Sequence, residues 1–388
     1  MADEALPTRR PYVLGLIFFS AVLALTVLAH RYIGVRLFSD PAWGTRVETV
    51  GWFAVWGAFA SIFAGFIGGR IFPKPLALVF QWVGYVWMGA FSLLLTGSAI
   101  SDGALVLARQ WVTPDASWAR WQALFIAVSA LLPLVWGAFV ARRPLVRRVE
   151  IVVPGLPAPF EGLRIVQLTD VHIGETLRRG FTESLVAMVN ALSPDVIAIT
   201  GDLVEGSVQR LAHDVAPLAD LRARLGKFYV TGNHEYYHDG PAWEREGARL
   251  GLTVLHNSHQ VLNEGEASLV VAGVTDLQGG QFHEGHAPDL EKALNGAPVG
   301  AKRILLAHQP KFAKAAQGHD IALQLSGHTH GGQIFPFMFF VRLQQPVVAG
   351  LKRLWGVLVY TSKGTGYWGP PFRVGPRGEV TELTLRAA

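Results

Sequence analysis

The chain has 388 residues, of which 51% are hydrophobic and only 16% charged, with a mean hydropathy of +0.31 and a net charge of +5. Ordinary soluble domains carry about 25% charged residues, so a purely soluble protein is disfavoured, and the length predicts two domains. The basic residues are scattered or flank apolar runs, which argues against a nucleic-acid partner, and the absence of cysteine excludes disulfides, zinc thiolate centres and a cysteine nucleophile.

Four apolar stretches come first, at residues 12–29, 50–69, 76–95 and 121–141. Each approaches the ~20 residues that cross a bilayer as a helix. Trp52, Trp82, Trp111, Trp118 and Trp121 lie near their ends, as interfacial aromatics do. Ala60, Ala64 and Gly68 recur every fourth residue and predict a close-packing face. Arg9 and Arg10, the first apolar run and Val27-Leu28-Ala29 also outline a cleaved signal peptide. That run is long for one and three more spans follow, so a retained helix is expected. Arg9, Arg10, Arg70, Lys74, Arg142, Arg143, Arg147 and Arg148 fall on one side of this topology. Arg31, Arg36, Arg46, Arg109 and Arg120 fall on the other. The bias of eight against five predicts that both ends are cytoplasmic. No ionisable residue falls mid-span, which argues against a transporter or channel.

After Pro144 the pattern changes. Apolar runs rich in β-formers predict strands at 149–153, 163–169, 195–200, 227–231, 303–307 and 322–325. Leu177, Phe181, Leu185, Met188, Val189 and Leu192 share one side of a helix predicted over 176–192. Strands alternating with helices predict an α/β layered domain over 149–388, with 1–148 as a transmembrane anchor region.

Five of these strands end in polar clusters: Asp170 and His172, then Gly201-Asp202, then Gly232-Asn233-His234-Glu235, then His308, then Gly327-His328-Thr329-His330. Ligands of α/β sheets collect at the carboxyl ends of strands. Carboxylate, amide oxygen and imidazole without thiolate suit Mn, Fe, Zn or Mg. In extended backbone, residues two apart point the same way, so Asp170 with His172, and His328 with His330, are each expected to face one metal. Asp202 is the natural bridge between two cations. Glycines beside Asp202, Asn233 and His328 permit close backbone approach.

The ordered blocks resemble the calcineurin-like metallophosphoesterase family over about residue 149 to the end. The runs at 327–333 and 366–373 are similar to its bacterial membrane-associated phosphodiesterase branch. The resemblance implies a β-sandwich core flanked by helices and two divalent metal ions. Asp170, His172, Asp202 and His330 would hold one; Asp202, Asn233, His308 and His328 would hold the other. It also implies an activated water attacking phosphorus, with His234 as the catalytic non-ligand that protonates the leaving oxygen or steadies its charge. The implied substrate is a phosphoester, lipid-associated, of the UDP-diacylglucosamine lipid A precursor type. The implied location is a bacterial inner membrane with the catalytic domain cytoplasmic. A tethered phosphodiesterase for soluble substrates and a metal-binding scaffold without turnover are the alternatives.

Other positions carry weaker expectations. Glu235 orients His234 or caps a helix. Asp276 closes a strand-like run, near substrate or as a turn residue, and Arg373 meets a phosphate or a surface carboxylate. His213, His238, His256, His259, His283, His286 and His319 match no block and read as surface residues. Of these, His283 and His286, after a Gly-Gly turn, are the pair nearest to a cleft role. The apolar run at 334–340, followed by Lys352 and Arg353, predicts a surface resting on the membrane or a buried loop.

Overall fold

The computed structural model describes residues 10–113, 115 and 117–388. Arg9, counted above among the residues that set the topology, lies outside them. The chain forms one compact unit up to Leu134 and a second over Val135–Ala388.

Among the described residues, four helices are long and apolar enough to cross a membrane: α1 (Arg10–Gly34), α2 (Thr45–Ile71), α3 (Lys74–Ala108) and α4 (Ser117–Ala141). They overrun the expected spans. The 35 residues of α3 make about 52 Å of helix, well beyond a hydrocarbon core of about 30 Å. The overrun brings ionisable groups into the helix ends, outside the expected spans. Asp102 accepts hydrogen bonds from Tyr32 Oη at 2.6 Å, Arg36 Nη2 at 2.8 Å and Gln122 Nε2 at 2.5 Å. Buried His30 accepts from Trp87 Nε1 at 2.9 Å. Each charge in this network is met by a partner, as burial demands. Of the expected close-packing residues, Ala64 is half-buried and the surroundings of Gly68 lie outside the described residues; the close contact between α2 and α3 that is described falls elsewhere. It runs through Ser61 and Gly65, where a Cβ on Gly84 would lie 2.6 Å from the Ser61 carbonyl, while Ala60 is exposed.

The second unit begins within α4 and carries twelve strands and seven further helices. In chain order these are β1 (Leu145–Val153), β2 (Arg164–Leu168), α5 (Arg179–Ala191), β3 (Val196–Thr200), α6 (Val208–Val215), β4 (Gly226–Val230), α7 (Asn233–Tyr237) and α8 (Gly240–Arg249). There follow β5 (Thr253–Val254), β6 (Ser258–Glu264), β7 (Ala267–Gly273), α9 (Gly279–Phe282), α10 (Leu290–Leu294), β8 (Lys302–Leu306) and β9 (Ile321–Ser326). Last come α11 (Phe337–Gln344), β10 (Gly350–Leu354), β11 (Val357–Thr361) and β12 (Glu379–Ala387).

The strands form two six-stranded sheets, ordered β1-β12-β2-β3-β4-β5 and β10-β11-β9-β8-β7-β6. Strands β2 to β5 run parallel in the first, and β7, β8, β9 and β11 in the second. Alternate residues of each strand face opposite ways. Ile165, Val196 and Phe228 from one sheet meet Val271, Ile304 and Leu323 from the other in a shared core. Their neighbours Val166, Ile197 and Tyr229 pack outward against α5, α6 and α8. Leu305 and Val270 do the same beneath α10. Burial on both faces explains why these strands read as continuous apolar runs rather than alternating ones. The sandwich also brings the carboxyl ends of β2, β3 and β4 beside those of β8 and β9.

Candidate metal centre

Strands β2, β3 and β9 each hand over to residues with left-handed backbone. Asp170 (φ 51°), His172 (φ 52°), Asp202 (φ 51°), His328 (φ 71°) and His330 (φ 50°) are all non-glycine residues at positive φ. Such conformations cost of order 1 kcal/mol each and persist where the surroundings over-determine them. They also bear on the expectation that each pair two apart faces one metal, which fails for His328 and His330. The rule holds for extended backbone, which none of these residues has. Asp170 and His172 do join one group, but His328 and His330 fork into two.

The first group is Asp170, His172 and His330. His330 Nε2 lies 3.3 Å from Asp170 Oδ1 and 3.1 Å from His172 Nε2. The second is Asp202, His308 and His328. His308 Nε2 lies 3.0 Å from Asp202 Oδ2 and 3.2 Å from His328 Nδ1. Asp202 Oδ2 is also 3.9 Å from His172 Nε2, so one carboxylate oxygen reaches both groups. Two close approaches make this possible. A Cβ on Gly232 would lie 2.2 Å from Asp202 Oδ1, and one on Gly327 would lie 2.2 Å from Asp170 Oδ2. Only glycine fits at either place.

The ring nitrogens are sorted by their outer partners. His308 Nδ1 donates to the Thr200 carbonyl at 2.8 Å, and His172 Nδ1 to Glu205 Oε2 at 3.2 Å. Each bond turns Nε2 inward, where its lone pair becomes available once a cation takes the place of any Nε2 proton, as metal-binding imidazoles are arranged. Burial and the charge of His308 push His328 down to about 3, and burial with the neighbouring His172 holds His330 well below the usual imidazole range. Both are therefore neutral donors at pH 7. Burial tends to raise Asp202, but His308 and His234 hold it well below the usual carboxylate range. Asn233 Oδ1 is buried with no hydrogen-bond partner. An orphaned acceptor on the residue next to His234, together with the carboxylate and imidazole groups, fits divalent cations.

His234 stands at the edge of both groups. Its Nε2 is 4.0 Å from Asp202 Oδ2, and its Nδ1 is 2.7 Å from Glu205 Oε2, an ion pair without hydrogen-bond alignment. Burial disfavours its charge, but the Asp202 and Glu205 carboxylates outweigh that and raise His234 to about 9. Glu205 was not anticipated from sequence. It takes contacts from His172, His234 and His238, the last at 3.4 Å. The available signal was an acidic residue three positions after Asp202 in Gly-Asp-Leu-Val-Glu. Glu235 proves to be a backbone clamp: its carboxylate accepts from the N–H groups of Asp202, Leu203 and Gly232 at 3.0, 2.7 and 2.6 Å. Aromatic walls flank His234, with Tyr237 at 5.0 Å and Trp368 at 5.8 Å between ring centres.

Asp276 is buried and held by Gln309 Nε2 at 2.9 Å and by the Gln278 N–H. Arg373 is not a surface residue paired with an acid. It is 1% exposed, and its guanidinium donates to the carbonyls of Gly366, His330 and Gly364 at 2.7, 3.1 and 3.3 Å. Its own N–H donates to the Gly137 carbonyl in α4 at 3.2 Å. His283 and His286 pack around Tyr236, the first tilted and the second edge to face. His213 is exposed, and His238, His256, His259 and His319 are half-buried. All eight residues of α11 escape burial, with Phe337, Phe339, Phe340 and Leu343 exposed by 49, 59, 60 and 85%.

Residues 163–332 match the calcineurin-like phosphoesterase family model. Over 277 residues the chain is 41% identical to a transmembrane protein with metallophosphoesterase domain from Danio rerio, covering 69% of this chain and 63% of that one. It is 38% identical over 260 residues to an uncharacterized metallophosphoesterase of Helicobacter pylori, covering 66% of this chain and 68% of that one. The uncharacterized metallophosphoesterase YkuE of Bacillus subtilis is 30% identical over 241 residues, covering 60% and 82%. The chain thus spans slightly under two thirds of the length of the first of these relatives.

Proposed function

Because this chain belongs to the calcineurin-like phosphoesterase family, we propose that it is a membrane-anchored hydrolase of phosphodiesters or pyrophosphates using two divalent cations. Residues 1–148 serve as the anchor and 149–388 as the catalytic part. The observation that carries this reading is the reach of Asp202 Oδ2 into two histidine-carboxylate groups, with His234 beside both. Asp170, His172, His330 and Asp202 would hold one cation; Asp202, Asn233, His308 and His328 the other. Bound there, the cations supply positive charge to the phosphoryl oxygens and acidify a water. His234 enters the reaction protonated, with its Nδ1 side held by Glu205 and its Nε2 side facing the reaction space. It delivers a proton to the departing oxygen as the P–O bond breaks. Tyr237 and Trp368 narrow the approach on the leaving-group side. The full chain in detergent should hydrolyse bis-p-nitrophenyl phosphate with Mn²⁺ and stop on chelation. A folded, metal-loaded chain with no turnover would sink the proposal.

Glu205 sets the charge state of His234. Glu205→Gln should lower kcat by about 10-fold with little change in KM, because one charge partner of the acid is lost. Removing an anion lowers the pKa of its cationic neighbour. The alkaline limb of the kcat profile should therefore move to lower pH than in the parent at equal metal loading. An unmoved limb would dissociate Glu205 from proton delivery.

The exposed apolar helix supports a lipid-linked substrate, such as a UDP-diacylglucosamine-type precursor. Phe335 N donates to the Val374 carbonyl, and the adjoining Arg373 bonds Gly137 of the last apolar span. α11 and the end of α4 are therefore tied to the same short segment, and a face carrying Phe337, Phe340 and Leu343 suits the interfacial zone of a bilayer. Arg142, Arg143, Arg147 and Arg148 follow that span and favour the cytoplasmic side. Removing two inserted rings forfeits on the order of 1–2 kcal/mol each. Phe337→Ser with Phe340→Ser should cut turnover of such a glycolipid in mixed micelles by at least ~10-fold and leave bis-p-nitrophenyl phosphate unaffected. Equal, unchanged rates on both would favour a tethered enzyme for soluble esters.

A further inference from the structure

A second gathering of metal-type side chains lies outside the centre described above. Glu244 comes from α8, His256 from the turn after β5, and His286 from the loop after α9. One ligand atom from each falls within 4.8 Å of the other two. His256 Nδ1 is 2.8 Å from Glu244 Oε1, and His286 Nδ1 is 3.8 Å from the same oxygen. The two imidazole rings meet edge to face with centres 4.4 Å apart. All three side chains keep solvent access, at 17, 28 and 13% exposure for Glu244, His256 and His286.

We propose that Glu244, His256 and His286 form a further divalent-cation site, of the class that takes Zn²⁺ with its remaining coordination positions open to water. The donor set is two imidazoles and one carboxylate, a combination that suits zinc when a coordination position is left open. The outer partners point the same way. His256 Nε2 lies 3.2 Å from the Gly285 carbonyl. A carbonyl only accepts, so Nε2 carries a proton; Nδ1 faces the Glu244 carboxylate, also an acceptor, and shares a proton with it that a cation would replace between the two. The loop bearing His286 is fixed in place rather than free to drift. Asn257 Nδ2 donates to the Ala287 carbonyl at 2.8 Å, and Asn257 Oδ1 accepts from Thr275 N and Asp289 N at 3.2 and 3.1 Å. Tyr236 Oη, 3.1 Å from His286 Nδ1, stands next to the ligand set and joins it to α7, which carries His234. An ion here would pin α8, the 283–287 loop and α7 to one another without touching the phosphoester.

The test uses the full chain in detergent, stripped with chelator, in an Asp170→Asn, Asp202→Asn, His308→Ala, His330→Ala background that disables both ligand groups of the first centre. Titration with Zn²⁺ should retain one equivalent. Co²⁺ in its place should give the visible d–d absorption of a low-coordinate ion. Adding His256→Ala and His286→Ala should abolish both signals. Glu244→Gln, nearly isosteric, should weaken Zn²⁺ by at least ~100-fold, more than the loss of an outer partner. That variant decides the matter if the double histidine variant fails to fold. In the otherwise native chain, the double histidine variant should hold one zinc fewer than the parent while still hydrolysing bis-p-nitrophenyl phosphate. No retained zinc in the disabled background, or zinc retained equally by Glu244→Gln, would overturn the proposal.

Discussion

Asp202→Asn is expected to cost about 10⁴-fold or more in kcat on bis-p-nitrophenyl phosphate, the product of two losses of about 10² for single electrostatic partners. The reason lies in where the carboxylate sits. Oδ2 reaches His308 at 3.0 Å and His172 at 3.9 Å, while Oδ1 accepts the His234 N–H at 2.9 Å. Asparagine preserves the shape and can preserve the last contact. It cannot supply a negative oxygen to two groups at once. Metal content should fall along with rate. Near-ultraviolet circular dichroism on the same sample separates a lost centre from a lost fold. Turnover within 10-fold of the parent would mean that Asp202 does not serve both groups, and the two-cation reading would fail with it.

His234→Ala is expected to behave differently. Metal content should stay at the parent level, because His234 lies outside both ligand groups, and kcat should fall by 10²–10⁴, about what a positioned acid contributes. The leaving group discriminates its role. p-Nitrophenolate departs readily without a proton, whereas an alkoxide does not. A far steeper loss on an alkyl phosphodiester than on the nitrophenyl ester would identify His234 as the proton donor. Equal losses would assign it to charge stabilisation. A loss of metal would move it into the ligand set instead.

How much of this was legible beforehand follows physical lines. Strands buried on both faces leave unbroken apolar runs, and β2, β3, β4, β8 and β9 were each anticipated to within a few residues. The polar residues at their ends stood out because they interrupt those runs abruptly. β6, β10 and β12 had no such signature. β6 and β10 are edge strands with much of their length solvated, and β12, although mostly buried, has its apolar residues interrupted by Glu379, Thr381, Glu382 and Thr384. Glu205 escaped because its partners His172, His234 and His238 arrive from elsewhere in the chain, and no local pattern marks that convergence. Arg373 misled for a related reason. Its partners are backbone carbonyls, which carry no sequence identity. The helix overruns were hidden because Asp102 and Arg36 look like the ends of spans until each is seen to neutralise the other.

The left-handed residues at the strand ends bear on how this protein would respond to selection. Asp170, His172, Asp202, His328 and His330 together hold roughly 5 kcal/mol of unfavourable backbone, comparable to the whole net stability of an ordinary domain. Glycine or asparagine at any of them would relax that cost. A laboratory lineage chosen only for heat resistance would therefore be drawn to these positions early, and would become more robust as it became inert. Thermostable variants of this protein should be sought by screening stability and turnover together, with these five positions held fixed.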